Sequence, residues 1–263
     1  MDDDENVQAY SEAGRIDGAM SAAYLFPSGH ATEVLQGCAQ VIDLGCGPAT
    51  QLVQIAQFNP DISFHGIDLS AQMLERAEAY AREKNVSNVR FSLGDITQLD
   101  VVESASVDGV ISMLALHHLP TIGHLRACFR EIARILKPGG ALYLADFGRL
   151  KSLRSVLFLA YMNAAHQPHV FSLDYERSLR AAFLFDELKS MGNEELPADV
   201  DAYATFIAPL LTVMQTRPKP IPGSLKGHLI QLRRALPRRY RADLDDLRSF
   251  FRLGGMPSDP FRR

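Results

Sequence analysis

Short apolar runs at 40–44, 62–67, 89–93, 107–114 and 141–145 alternate with stretches whose apolar residues recur every three to four positions. The short runs predict strands and the periodic stretches predict helices. The helix expected over about 49–58 turns Leu52, Val53, Ile55 and Ala56 inward and stops at Asn59-Pro60-Asp61. A second helix carries Met73, Leu74, Ala77 and Ala81 on one face, with Ser70 placed to cap it. A third, over 122–136, buries Leu125, Phe129, Ile132, Ala133 and Leu136 and ends at Lys137-Pro138-Gly139-Gly140. Strand–helix alternation at this spacing predicts right-handed crossovers and a mainly parallel sheet covered on both faces.

The pattern changes after Phe147. Residues 151–192 read as mostly helical, divided at Pro168. Two β-capable runs follow at 202–206 and 207–216, then amphipathic helices at 224–236 and 241–253. Ahead of the first strand, residues 1–38 read as helical with breaks, Pro27-Ser28-Gly29 ending a helix, and are expected to form a partial lid.

A chain of 263 residues, 47% hydrophobic, can bury a large core without staples. Its three cysteines, Cys38, Cys46 and Cys128, show neither disulfide nor metal-ligand spacing. The acidic start Asp2-Asp3-Asp4-Glu5 is unlike a signal peptide, and no run approaches the ~18 apolar residues of a membrane span. A cytoplasmic protein without bound metal is the expectation. The net charge of −4 is uneven: residues 217–263 hold 12 Lys+Arg against 4 Asp+Glu, leaving −12 for the rest. Such a tail can meet an acidic partner, or can be a solvated helical face packed on an acidic body; the second reading is preferred.

Chemistry enters at Asp43-Leu44-Gly45-Cys46-Gly47-Pro48, where a strand gives way to a glycine turn and a helix. Two glycines two apart let a ligand approach the backbone closely. Asp43, Asp68, Asp95 and Asp146 all stand at strand ends, hence along one edge of a parallel sheet. Asp68, 25 residues after Asp43, is placed to accept from both hydroxyls of a ribose. Asp95 and Ile96 are placed for an adenine, one accepting from its amino group and the other packing on the ring. Any one of these acids alone could be a helix cap. A dinucleotide fits poorly: Thr50 replaces the third glycine, and Asp43 would face a pyrophosphate.

Five motifs in order then resemble a class I S-adenosylmethionine-dependent methyltransferase of the type 11, ubiquinone/menaquinone-biosynthesis-like branch. They are Val41 to Gly47, Gly66-Ile67-Asp68-Leu69-Ser70, Gly94-Asp95-Ile96, Ser112 to Leu119 and Arg134 to Gly140. The resemblance covers about 38–148. It implies an α/β fold with a Rossmann-like, doubly wound, seven-stranded sheet, mostly parallel with one antiparallel strand. Residues 204–216 would supply that strand and 183–191 the helix before it. The domain reading is an arm at 1–38, a cofactor-binding core at 39–148, a helical insert with the last strands as substrate cap at 149–216, and a basic helical extension at 217–263. The cofactor is S-adenosylmethionine. The candidate contacts are Tyr10, Arg15, Asp43, Gly45, Cys46, Gly47, Asp68, Leu69, Met73, Gly94, Asp95, Ile96, Met113, Leu114 and His118.

Methyl transfer is chiefly a positioning task, with a base needed for a hydroxyl acceptor. The candidates are His117, His118, Asp146 and His166, with Tyr161 and His169 behind them; His118 reads equally as a cofactor-loop contact. His65 and His124 read as structural or surface residues. The insert offers Phe158, Tyr161, Met162, Phe171, Tyr175, Phe183 and Phe185, either as core or as a partly apolar pocket for a small-molecule acceptor. Arsenite methylation is disfavoured, since the thiols lack a matching arrangement. The alternatives are a nucleic-acid- or protein-directed methyltransferase using the basic tail, and a catalytically silent cofactor-binding regulator. Nucleic acid is disfavoured because no N-P-P-Y-type motif occurs. The tail is also a candidate homodimer surface.

Overall fold

The computed structural model describes residues 21–166 and 168–262. Tyr10, Arg15 and the rest of 1–20, which hold most of the expected lid, lie outside them. Among the described residues, strands β1 (Gln40–Leu44), β2 (Ser63–Asp68), β3 (Val89–Leu93), β4 (Val107–Met113), β5 (Leu136–Phe147), β6 (Asp201–Ala204) and β7 (Leu211–Gln215) form one sheet. Its order is β3-β2-β1-β4-β5-β7-β6. The first five strands run parallel, and β7 lies antiparallel to both β5 and β6. The order reverses beside β1, so the carboxyl ends of β1 and β4 border the crevice where open α/β sheets bind ligands.

Successive residues of the central strands serve opposite faces. Val41, Phe64, Ile111 and Tyr143 enter one core with α1 (Ser21–Val34), α2 (Thr50–Phe58) and α3 (Ala71–Glu83). Ile42, Ile67, Val110 and Leu142 enter the other with α4 (Ile122–Ile135), and with Leu188 and Met191 of the later helix Phe185–Glu195. Both faces are covered, which is why these strands read as continuous apolar runs. After β5 come α5 (Leu153–Tyr161), α6 (His169–Ala181) and α7 (Phe185–Glu195); after β7 come α8 (Gly223–Ala235) and α9 (Arg238–Leu253).

Several local expectations need correction, the simplest being Ala133, which is exposed on α4 rather than buried. Helix α1 does not end at Pro27-Ser28-Gly29 but runs through it to Val34. Tertiary packing overrides the turn signal: α9 lies on α1, Phe26 stacks on Phe251 at 4.8 Å, and Gly29 makes room for Phe261. The fifth strand begins at Leu136, not at 141. Leu136 pairs with Val107 and Ala141 with Gly109, so the residues between them bulge out of the ladder, with Gly139 at φ +72°. Residues 204–216 form two strands and a loop rather than one strand, because Ala204 closes β6 and β7 starts at Leu211.

The basic extension is held partly by its own acids. Arg233 donates to both oxygens of Asp245 at 2.6 Å, and Arg248 donates to Asp245 at 2.6 Å and Asp259 at 2.7 Å.

Candidate cofactor and acceptor site

The turn after β1 is built by glycine geometry and by one carboxylate. Gly45 sits at φ +73° and Gly47 at φ +51°. A Cβ on Gly45 would stand 2.5 Å from that of Ala115, so that position tolerates no side chain. Gly45 and Cys46 donate to Ile67 O at 2.8 and 3.1 Å. Asp68 accepts from Gly47 N at 2.8 Å through Oδ2 and from Ser70 N at 2.9 Å through Oδ1. It therefore ties the β1 turn to the start of α3, whose cap is Ser70 as expected, accepting from Met73 N at 3.3 Å.

A cavity of about 670 Å³ opens above this turn. Gly45, Cys46, Gly47, Asp68, Leu69 and Met73 form one side. Gly94, Asp95, Ile96, Met113, Leu114, His117 and His118 form much of the rest. Asp95 is at the rim, where its Oδ1 accepts from Thr97 N at 2.8 Å and Thr97 Oγ1 at 2.7 Å. Asp43 is not on the wall. It lies under the turn, 3% exposed, with Oδ1 lacking a hydrogen-bond partner. Burial, then the nearby Asp68, push its carboxyl up to about 8. Burial also pushes the Cys46 thiol well up, with Asp43 and Asp68 adding to it, so this thiol is a poor nucleophile.

Across the cavity, the ends of β4 and β5 join His117 to Asp146. Asp146 Oδ1 accepts from His117 Nδ1 at 2.6 Å and from Phe147 N at 2.6 Å, while Oδ2 accepts from His117 N at 3.0 Å. A carboxylate only accepts, so Nδ1 is the donor to Asp146, and in the neutral ring Nε2 is the acceptor. That Nε2 is buried and has no partner. The His118 ring packs 4.1 Å from that of His117 and is exposed at the cavity wall. Partial enclosure by the wall, then His117, lowers its pKa, and solvent reaching the exposed ring screens that effect.

The other candidates stand apart. Tyr161 donates to Glu176 at 2.9 Å, and its ring lies 6.4 Å from that of His169. The His166 side chain lies outside the described residues. His65 pairs with Ser92 at 2.7 Å, and His124 with Thr121 at 2.8 Å, as structural residues do.

Sequence reasoning did not single out Thr97 or Phe147 for the cavity, whereas Tyr24, part of the expected lid, does line it. Phe147 follows the acid that ends β5, and that adjacency was the available signal. A second cavity of about 560 Å³ adjoins the first, sharing Met113, Leu114, Phe147, Phe171 and Tyr175 with it. Of the aromatic and Met set in the insert, Met162, Phe171 and Tyr175 reach it, whereas Phe183 is in the core under α4.

Residues 36–178, more than half of the chain, match the family described as methyltransferase domain. The chain belongs to that methyltransferase family. Its 104-residue match to trans-aconitate 2-methyltransferase of Deinococcus radiodurans is 42% identical and covers 40% of this chain and 36% of the relative. A 109-residue match to 27-O-demethylrifamycin SV methyltransferase of Amycolatopsis mediterranei is 36% identical and covers 41% and 38%. The methyltransferase thus spans less than half the length of these curated relatives. In fold it resembles the plantazolicin methyltransferase BpumL, solved in complex with SAH. That likeness has a TM-score of 0.60 at 17% identity, over 90% of this chain and 88% of that one. A SAM-dependent methyltransferase from Aquifex aeolicus gives 0.56 at 14% identity, over 82% and 98%.

The resemblance implies S-adenosylmethionine as the cofactor of a methyltransferase domain. The residues present fit it. A Cβ on Gly47 would meet nothing within 4 Å, leaving open space above the turn, and the buried Asp43 Oδ1 is an acceptor still lacking a donor.

Proposed function

We propose that this methyltransferase methylates a hydroxyl oxygen of a small-molecule acceptor, with His117 as base. The observation that carries the reading is the unpartnered, buried Nε2 of a histidine on the cavity wall whose Nδ1 is fixed by Asp146. The curated relatives, named for trans-aconitate and a rifamycin, support a small-molecule acceptor. The paired Arg233 and Arg248 weigh against the basic extension as a nucleic-acid or protein surface.

Asp68 is the residue to receive the ribose hydroxyls, and Asp95 and Ile96 the adenine, while Asp43 acts on the ammonium of the methionine part as a charge beneath the turn rather than by contact. Met113 and Leu114 line the path between the cavities. S-adenosylmethionine supplies a sulfonium-bound, electrophilic methyl. His117 takes the acceptor's hydroxyl proton at Nε2 as the oxygen–carbon bond forms and the sulfur–carbon bond breaks. The Asp146 carboxylate then stabilises the imidazolium through Nδ1. Phe147, Phe171 and Tyr175 give the meeting point apolar walls.

The test is a His117→Gln variant, with tritiated S-adenosylmethionine and a panel of phenols and aliphatic alcohols. Calorimetry should find SAH affinity within about two-fold of the parent protein, while transfer falls by roughly 10²–10⁴. Undiminished transfer would remove His117 from the mechanism. SAH binding without transfer to any member by the parent protein would favour the silent regulator.

A further inference from the structure

The second cavity is walled by α1, the β6–β7 hairpin, α5 and α9, whereas the first is walled by the glycine turn and the strand ends. The two meet at Met113, Leu114, Phe147, Phe171 and Tyr175. A molecule seated in the second can therefore present one end to the methyl-transfer point and extend away from it.

The mouth of this second cavity is unusual for a protein surface. Met162, Phe206, Ile207 and Phe250 line the cavity and are 57%, 48%, 83% and 40% exposed. Apolar side chains gathered at a cavity mouth mark a ligand or partner site. Ile207 also has φ +73°, a left-handed conformation that a β-branched residue rarely adopts. The loop is held in that shape by Thr205, which donates to Ala208 O at 2.6 Å, and by Phe206 N, which donates to Phe250 O at 3.2 Å. The remaining edge carries two acids and one base: Asp243, Asp246 and Arg239 all line the cavity, and the Arg239 guanidinium donates to the neutral amide oxygen of Asn163 at 2.5 Å.

We propose that the second cavity receives the apolar body of an elongated, uncharged methyl acceptor, whose far end leaves between Met162, Phe206, Ile207 and Phe250. This rests on the hydroxyl-methylation reading above. The apolar walls reward length, the open mouth accommodates what the cavity does not hold, and two aspartates against one arginine leave the edge net negative, which disfavours anionic acceptors.

The test uses the full chain saturated with SAH and a series of 4-alkylphenols from butyl to octyl, each with a counterpart bearing a terminal carboxylate. Calorimetry reads binding without needing turnover. Affinity should rise by about two- to four-fold per added methylene, and the carboxylated counterparts should bind at least ten-fold more weakly. The double variant Phe206→Ser with Ile207→Asn should flatten the length series at unchanged SAH affinity. Asparagine tolerates the left-handed backbone, so folding is kept, and its melting temperature checks this. A series independent of length, or a length dependence that survives in the double variant, would overturn the proposal. Failure of SAH itself to bind would instead remove the cofactor-site reading beneath it.

Discussion

Asp43→Asn is the most informative single substitution. Asp43 is 3% exposed, with one carboxylate oxygen lacking a partner, and its carboxyl is raised to about 8 by burial and then by Asp68. In the unfolded chain the same group titrates near 3.9. Between those values the native state keeps a proton that the unfolded state has released. Stability therefore falls as pH rises through this window. From pH 5 to pH 8 the loss is three pH units at about 1.4 kcal/mol each, or about 4 kcal/mol. Asparagine has the same shape and does not titrate. The cofactor-free parent protein should lose about 4 kcal/mol relative to Asp43→Asn over that range, roughly 10 °C in melting temperature for a chain of this size. Urea titrations of both proteins at pH 5, 6, 7 and 8 measure it, and titrations of groups not coupled to Asp43 cancel in the difference. An ammonium brought above the turn favours the Asp43 carboxylate beneath it, so binding expels the proton. SAH affinity should rise with pH by up to about ten-fold per unit in the parent protein, and this slope should vanish in Asp43→Asn. Parallel stability curves for the two proteins would refute the reasoning.

Two further substitutions probe the frame around the site. Asp68→Ala removes the acceptor for Gly47 N and Ser70 N as well as the ribose partner. It should weaken SAH binding by about 1.5–3 kcal/mol, roughly 10- to 150-fold by calorimetry, and lower the melting temperature. Gly29→Ala puts a Cβ 2.6 Å from Phe261 Cζ, so α1 and the chain end must part, at about 1–3 kcal/mol in a urea titration. An unchanged midpoint would mean that the chain end is not seated on α1.

Much of the fold was written in local pattern. Val89–Leu93 has the bounds read from its apolar run, and Ser70 caps α3 as its position before Met73 implied. Local rules failed where distant chain decided the outcome. Pro27-Ser28-Gly29 spells a turn, yet Phe251 and Phe261 hold it in a helix. The family resemblance covered the glycine turn and the strand-end acids, but the partnership of His117 with Asp146 joins residues 29 apart in sequence on neighbouring strands. Their individual candidacy was legible; their hydrogen bond was not. Nor could spacing show that both Asp68 oxygens are engaged by backbone. The second cavity was hidden for the same reason, since α1, the β6–β7 hairpin and α9 come together only in the folded chain.

The position of β7 between β5 and β6 bears on how this protein is handled in the laboratory. A fragment trimmed to the family-matched stretch, 36–178, would lack both outer strands and leave the long β5 without its neighbour on that side. The backbone groups of Tyr143 to Phe147 that now pair with β7 would become a sticky border for other chains. Such a fragment should aggregate on expression, so the segment recognisable from relatives is smaller than the unit that folds.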